Sequence, residues 1–151
     1  MKICVCSDSH GRYERIEDML LRERPDALLF LGDGERDIYR LDIPLPEVYA
    51  VCGNCDIGSS LPPSRSIELA GKRIFMTHGH YYNVKRGLSE LRAMCEGHDA
   101  VLYGHTHRQY EERCGDSLIL CPGSLFESAE AYAVLEIRDG ELSLSYGEKT
   151  E

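Results

Sequence analysis

Short apolar runs, most of them five residues or fewer, alternate with polar clusters along this chain. Lys2 to Ser7 is β-branched and cysteine-rich on both faces, which predicts a buried first strand. From Arg12 to Arg24, Tyr13, Ile16 and Leu20 recur at i, i+3 and i+7, the stripe of an amphipathic helix, and Pro25 closes it. Ala27 to Leu31 is a short apolar strand, so the chain opens as a βαβ unit. Leu41 to Glu47, with two prolines, reads as a connector, and Val48 to Cys52 as a third strand. Ser66–Leu69 and Arg73–Thr77 flank Ala70-Gly71-Lys72 as a hairpin. Val84, Leu88, Leu91 and Cys95 mark a second helix that Gly97 stops. Ala100 to Tyr103 is a further strand. Two more hairpins follow, Arg108–Arg113 with Ser117–Cys121, and Tyr132–Ile137 with Glu141–Tyr146 about Asp139-Gly140. With helices in the first two-thirds and hairpins in the last third, the expected architecture is α/β, two packed sheets with helices outside, in one domain spanning residues 1–151.

Five of these strands end on polar clusters: Asp8-Ser9-His10, Gly32-Asp33, Gly53-Asn54, His78-Gly79-His80 and Gly104-His105-Thr106-His107. Open α/β sheets bind ligands outside the carboxyl ends of their strands. If the five strands run as parallel neighbours, their clusters converge on one edge. Five of the six histidines lie in these clusters, and only His98 does not. His105 and His107, at i and i+2 on an extended segment, point to one side of the backbone. Neutral imidazole is the commonest side-chain metal ligand, so the pattern points to a metal site.

The composition narrows the partners. Seventeen basic against 26 acidic residues give a net charge of −9, a field that repels polyanions and anionic bilayers, so neither a nucleic-acid polymer nor a membrane is an expected partner. The apolar start is too short for a secretory signal, and no later run approaches a membrane span. Seven cysteines, an odd number lying mostly inside apolar runs, suit buried thiols in a reducing cytoplasm. Cys52 and Cys55 have C-x-x-C spacing, but no matching second pair accompanies them.

Taken in order, Asp-x-His, Gly-Asp, Gly-Asn, His-x-His and Gly-His-x-His resemble the calcineurin-like metallophosphoesterases, most closely their small single-domain microbial phosphodiesterases. Pro122-Gly123-Ser124 and the terminal Tyr132–Ile137 run extend the resemblance over nearly the whole chain. It implies a four-layer-like sandwich of two mixed β-sheets flanked by helices, the metallo-dependent phosphatase fold. It implies two divalent metal ions: one held by Asp8, His10, Asp33 and His107, the other by Asp33, Asn54, His78 and His105. Manganese is the favoured metal, and a donor set without thiolate also suits iron, zinc or nickel. Two such ions roughly 3.5–4 Å apart lower the pKa of a shared water and align it for in-line attack. The implied activity is hydrolysis of a small phosphate ester, a diester before a monoester.

The departures from the family pattern are informative. Where much of the superfamily has histidine after Gly-Asn, placed to protonate the leaving group, this chain has Cys55. Gly32-Asp33-Gly34-Glu35-Arg36-Asp37 sets the second aspartate one residue out of step, so Asp37 does not inherit the histidine-orienting role. Cys55 and His80 remain candidates for proton transfer, and Arg12 and Arg36, beside two clusters, are candidates for contacting a substrate phosphate. A scaffold role, as in the eukaryotic retromer subunit that resembles this subgroup, or a phosphate or metal sensor, is the alternative. Retention of all seven implied ligands argues for chemistry. Oligomeric state is not legible in one chain.

Overall fold

The computed structural model describes residues 1–149. Strand β1 (Lys2–Cys6) leads to helix α1 (Tyr13–Glu23), β2 (Ala27–Phe30), a short helix α2 (Glu35–Arg40) and β3 (Glu47–Ala50). The second half begins with the hairpin β4 (Ser64–Leu69) and β5 (Lys72–Thr77). A single 3-10 turn (His80–Tyr82), helix α3 (Ser89–Ala93) and β6 (Ala100–Leu102) follow. Two hairpins complete it, β7 (Tyr110–Cys114) with β8 (Ser117–Cys121) and β9 (Ala133–Arg138) with β10 (Glu141–Tyr146).

The strands form two mixed five-stranded sheets, ordered β10-β9-β1-β2-β3 and β4-β5-β6-β8-β7. In the first, β1, β2 and β3 are parallel while β9 runs antiparallel to β1. In the second, β5, β6 and β8 are parallel, with β4 and β7 as antiparallel edges. The five cluster-bearing strands therefore do not share one sheet. Three lie in the first and two in the second, and the clusters meet across the seam between them.

Alternation along the strands explains the layering. Ile3, Val5, Leu29 and Leu31 face Ile74, Met76, Leu102 and Leu120 to make the core between the sheets. The opposite faces carry Cys4, Cys6, Leu28 and Phe30, covered by Ile16, Met19 and Leu20 of α1. Phe75, Val101 and Ile119 are covered by Val84, Leu91 and Tyr82. The result is four layers, helix, sheet, sheet and helix, as the resemblance implies.

Two elements differ from the sequence reading. Helix α2 is not foreseen, because its buried residues are Glu35 and Asp37 and no apolar stripe announces it. The helix expected around Val84–Cys95 is α-helical only over Ser89–Ala93, since Gly87 at φ 152° interrupts the run. Val84 and Leu91 are nevertheless buried. Among the described residues no helix is long and apolar enough to cross a membrane, and all seven cysteines are free thiols.

Candidate metal centre

The loops that leave β1, β2, β3, β5 and β6 bring all seven candidate ligands into one cluster. Asp8 and His78 are fully buried, and Asp33 nearly so. His10, His105 and His107 are half-buried, while Asn54 and Cys55 stand exposed at the mouth. Ligand atoms of Asp8, His10 and His107 lie within 4.8 Å of one another, as do those of Asp33, His78 and His105. A third such group joins His10 and Asp33 to the thiol of Cys55.

The backbone is bent hard to achieve this. Asp8, His10, Asp33, His105 and His107 all have positive φ, between 40° and 73°. Non-glycine residues in that left-handed region cost on the order of 1 kcal/mol each, and such strain collects at functional sites. Close approach of the loops requires glycine at Gly53 and Gly104. A Cβ on Gly53 would sit 2.7 Å from the Asp33 main-chain nitrogen, and one on Gly104 would sit 2.9 Å from Asp8 Oδ2.

Hydrogen bonds set the direction in which each ligand faces. The Nδ1–H of His78 donates to the Leu31 carbonyl at 2.7 Å, which leaves Nε2 to face the cluster. That Nε2 lies 3.3 Å from Asp33 Oδ2 and 3.0 Å from Asn54 Oδ1. Three acceptors converge on one point, an arrangement that only a cation or a proton satisfies, and so the donor set fits a divalent metal. His10 Nε2 lies 3.7 Å from the same Asp33 oxygen. The second oxygen, Asp33 Oδ1, accepts the Cys55 main-chain N–H at 2.8 Å. His107 Nε2 lies 3.1 Å from Asp8 Oδ1, and its Nδ1 faces Glu127 at 3.4 Å. Asp8 Oδ2 accepts from the Ser7 hydroxyl and from the His105 N–H.

The electrostatics agree with this geometry. Burial works against an ionised Asp33, but hydrogen bonds from His78 and the Cys55 amide outweigh it and hold the carboxyl well below its usual range. Burial likewise opposes a charged His78, yet Asp33 and Asp8 hold its pKa above the ordinary histidine value. His105 and His80 are both shifted down, by burial first and then by the neighbouring His78.

The candidates for proton transfer and substrate contact lie outside the ligand groups or at their edge. His80 stacks on Tyr81 with ring centres 4.2 Å apart, and its ring centre lies 5.4 Å from that of His78. Its Nδ1 is buried without a hydrogen-bond partner. The Cys55 thiol is pushed up by desolvation and by the nearby Asp33 and Asp56. The Arg12 guanidinium lies 5.5 Å over the Phe126 ring, whose edge in turn meets His10. Arg36 is exposed on α2 and lines a cleft of about 660 Å³ that opens from His10, Asp33 and Cys55.

Two acidic residues that the sequence reading left without a role hold the loops in place. Asp56 accepts four main-chain N–H donors: Gly53 at 2.7 Å and Asp33 at 2.8 Å on one oxygen, Gly34 at 2.9 Å and Glu35 at 3.0 Å on the other. It ties the β2 loop to the β3 loop and so sets Asp33 against Asn54. Asp37 reaches back from α2 to accept from the Ser9 hydroxyl at 2.6 Å and the Gly11 amide at 2.8 Å, which fixes the loop carrying Asp8 and His10. The sequence signal for Asp56 was its place two residues after Asn54.

A four-layer sandwich with an aspartate- and histidine-rich cluster on five strand-end loops defines a metallophosphoesterase. Residues 1–140 match the family model described as the calcineurin-like phosphoesterase superfamily domain, and the chain belongs to that family. The probable metallophosphoesterase YsnB of Bacillus subtilis (strain 168) is 28% identical over 155 residues, covering 97% of this chain and 90% of that protein. The phosphodiesterase YfcE of Escherichia coli (strain K12) is 30% identical over 151 residues, covering 83% of this chain and 79% of its own length. The crystal structure of a predicted phosphoesterase from Streptococcus pneumoniae TIGR4 superposes with a TM-score of 0.79 at 30% identity, covering 96% of this chain and 87% of the other.

Proposed function

We propose that this metal-dependent phosphoesterase is a phosphodiesterase working with two divalent cations, manganese before iron, zinc or nickel, in residues 1–151 acting as one domain. The observation that carries the reading is the position of Asp33 Oδ2, which faces His10 Nε2 at 3.7 Å and His78 Nε2 at 3.3 Å. One carboxylate oxygen set between two imidazoles suits a shared ligand. Asp8, His10 and His107 would complete one side, and Asn54, His78 and His105 the other. Bound divalent cations supply charge that polarises a phosphoryl group and brings the pKa of water towards neutrality.

The chain's own residues decide which esters fit. Cys55 and His80 both stand beside the proposed cations, whose charge would disfavour a protonated thiol or an imidazolium there, so neither is a ready acid at neutral pH. Esters whose leaving group departs without a proton are therefore the expected substrates. Arg12 and Arg36 stand at the rim, where a guanidinium can grip a phosphate oxygen of the substrate. Completeness of the ligand set supports chemistry over a scaffold or sensor role, and seven free thiols suit a cytoplasmic setting.

The test compares bis(p-nitrophenyl) phosphate with p-nitrophenyl phosphate, in Mn²⁺ and in EDTA. The expected result is turnover only with metal and a higher kcat/KM for the diester. Reversed preference would make the protein a monoesterase, and absence of metal-dependent turnover on both would favour the scaffold.

A further inference from the structure

The cleft of about 660 Å³ beside the metal centre has a size typical of small-molecule sites, roughly 300–1,000 Å³, and a character of its own. One end is the cluster of His10, Asp33 and Cys55; the walls are α2 and the 55–60 loop. Along α2, Arg36 and Arg40 are both exposed and, at i and i+4, stand on one face about 6 Å apart along the axis. Tyr39, 69% exposed, lies between them, and Ile57 opposite is 84% exposed.

The acids that line this cleft are already engaged. Asp56 and Asp37 are turned into main-chain amides. Glu35 accepts the Tyr39 hydroxyl at 2.6 Å, which also fixes that ring at the cleft mouth. Arg40 rests 4.3 Å over the Tyr13 ring. Among the described residues neither Arg36 nor Arg40 makes a salt bridge, whereas the chain as a whole carries −9. Two guanidinium groups without a carboxylate partner among the described residues, beside an exposed aromatic ring, keep their donors free for an anion attached to a planar or apolar body.

We infer that the enzyme selects phosphodiesters one of whose alcohols bears a second phosphate, with Arg36 and Arg40 holding that phosphate while Tyr39 and Ile57 pack on the body that joins the two. This rests on the phosphodiesterase reading and adds the substrate class to it. A second phosphate on the ester meets repulsion from the whole protein, and the double variant of Arg36 and Arg40 separates their attraction from that of the metal centre.

Two esters with the same leaving group separate the possibilities: thymidine 5′-(p-nitrophenyl phosphate) and the same compound phosphorylated on its 3′ oxygen, each assayed with the Mn²⁺-loaded full chain. The expected result is a kcat/KM about tenfold or more higher for the 3′-phosphorylated ester, carried mainly by KM. That ratio should fall towards one in Arg36→Ala/Arg40→Ala and be partly kept in Arg36→Lys/Arg40→Lys. Equal kcat/KM for the two esters in the wild-type protein would overturn the inference and leave the phosphodiesterase reading standing. A ratio undiminished in the double alanine variant would also overturn it. Failure to cleave either ester with Mn²⁺ would bring down the phosphodiesterase reading and this inference with it.

Discussion

Asp56 shows how much of a candidate metal site is arranged by residues outside the candidate ligand set. Replacing it with asparagine swaps one acceptor oxygen for a donor and leaves at least two of the four amides without a partner. Unsatisfied buried donors cost about 1–3 kcal/mol each, so Asp56→Asn should lose roughly 3 kcal/mol and melt about 6–12 °C lower. Mn²⁺ affinity, read by calorimetry, should drop about 10–100-fold, since Asp33 and Asn54 lose their mutual alignment. A lowered melting point with unaltered Mn²⁺ affinity would reduce Asp56 to a purely structural role. Cys55 offers a second case. Cys55→His should accelerate hydrolysis most for esters with poor leaving groups, about 10- to 100-fold in kcat, by supplying a proton donor. Equal acceleration of good and poor leaving groups would contradict that account. At this scale the candidate ligands were legible as a cluster because aspartate, asparagine and histidine recur beside glycine at strand ends. Asp56 and Asp37 were not, because a carboxylate that receives main-chain amides looks, in sequence, like any other acid in a turn.

Among the elements, α2 carries more of the site than its six residues suggest. Its inner face is acidic, with Glu35 and Asp37 buried, and Asp37 anchors Ser9 and Gly11. Asp37→Ala should therefore destabilise the fold by about 2 kcal/mol and mobilise the loop that carries Asp8 and His10. Amide hydrogen exchange should quicken around residues 8–12 more than around 78–80, and uniform change in both would argue against this link. The strands and hairpins were legible because their short apolar runs and their Ala-Gly and Asp-Gly turns are local signals. Helix α2 was invisible to the same approach because its buried positions are the acids Glu35 and Asp37, and Ile38 alone within it packs against the core. The Val84–Cys95 segment misled for the converse reason: its apolar residues are buried as expected, but they reach the sheet through turns.

For the whole molecule, the two sheets meet at the site, and a bound cation would tie loops of one to loops of the other. Mn²⁺ at about 100 times its dissociation constant should add about 2.7 kcal/mol, a melting-point rise of roughly 5–11 °C that EDTA reverses. The increment should depend on pH. Asp33 and Asp8 raise the pKa of metal-free His78, so the proton it binds stabilises the metal-free fold at low pH and is lost as pH rises through that raised value. Metal must displace that proton, so the Mn²⁺-induced shift should grow as pH climbs from 6 to 8. A shift that is flat or shrinks with pH would remove His78 from the ligand set. The two-sheet arrangement was legible in the order of elements, but the seam was not. Which strands share a sheet depends on pairing between residues far apart in the chain, which no local pattern records.

The Ser124–Phe126 segment returns late in the chain to the end of β1, where the Leu125 amide donates to the Ser7 carbonyl and the Phe126 amide and Ser124 hydroxyl donate to the Asp8 carbonyl. Arg15 then clasps the carbonyls of Leu125 and Phe126. A nascent polypeptide halted on the ribosome before residue 124 thus possesses every candidate ligand yet lacks the brace for the first of them. Competence for hydrolysis would then arrive only once the Ser124–Phe126 segment has emerged and folded back on β1.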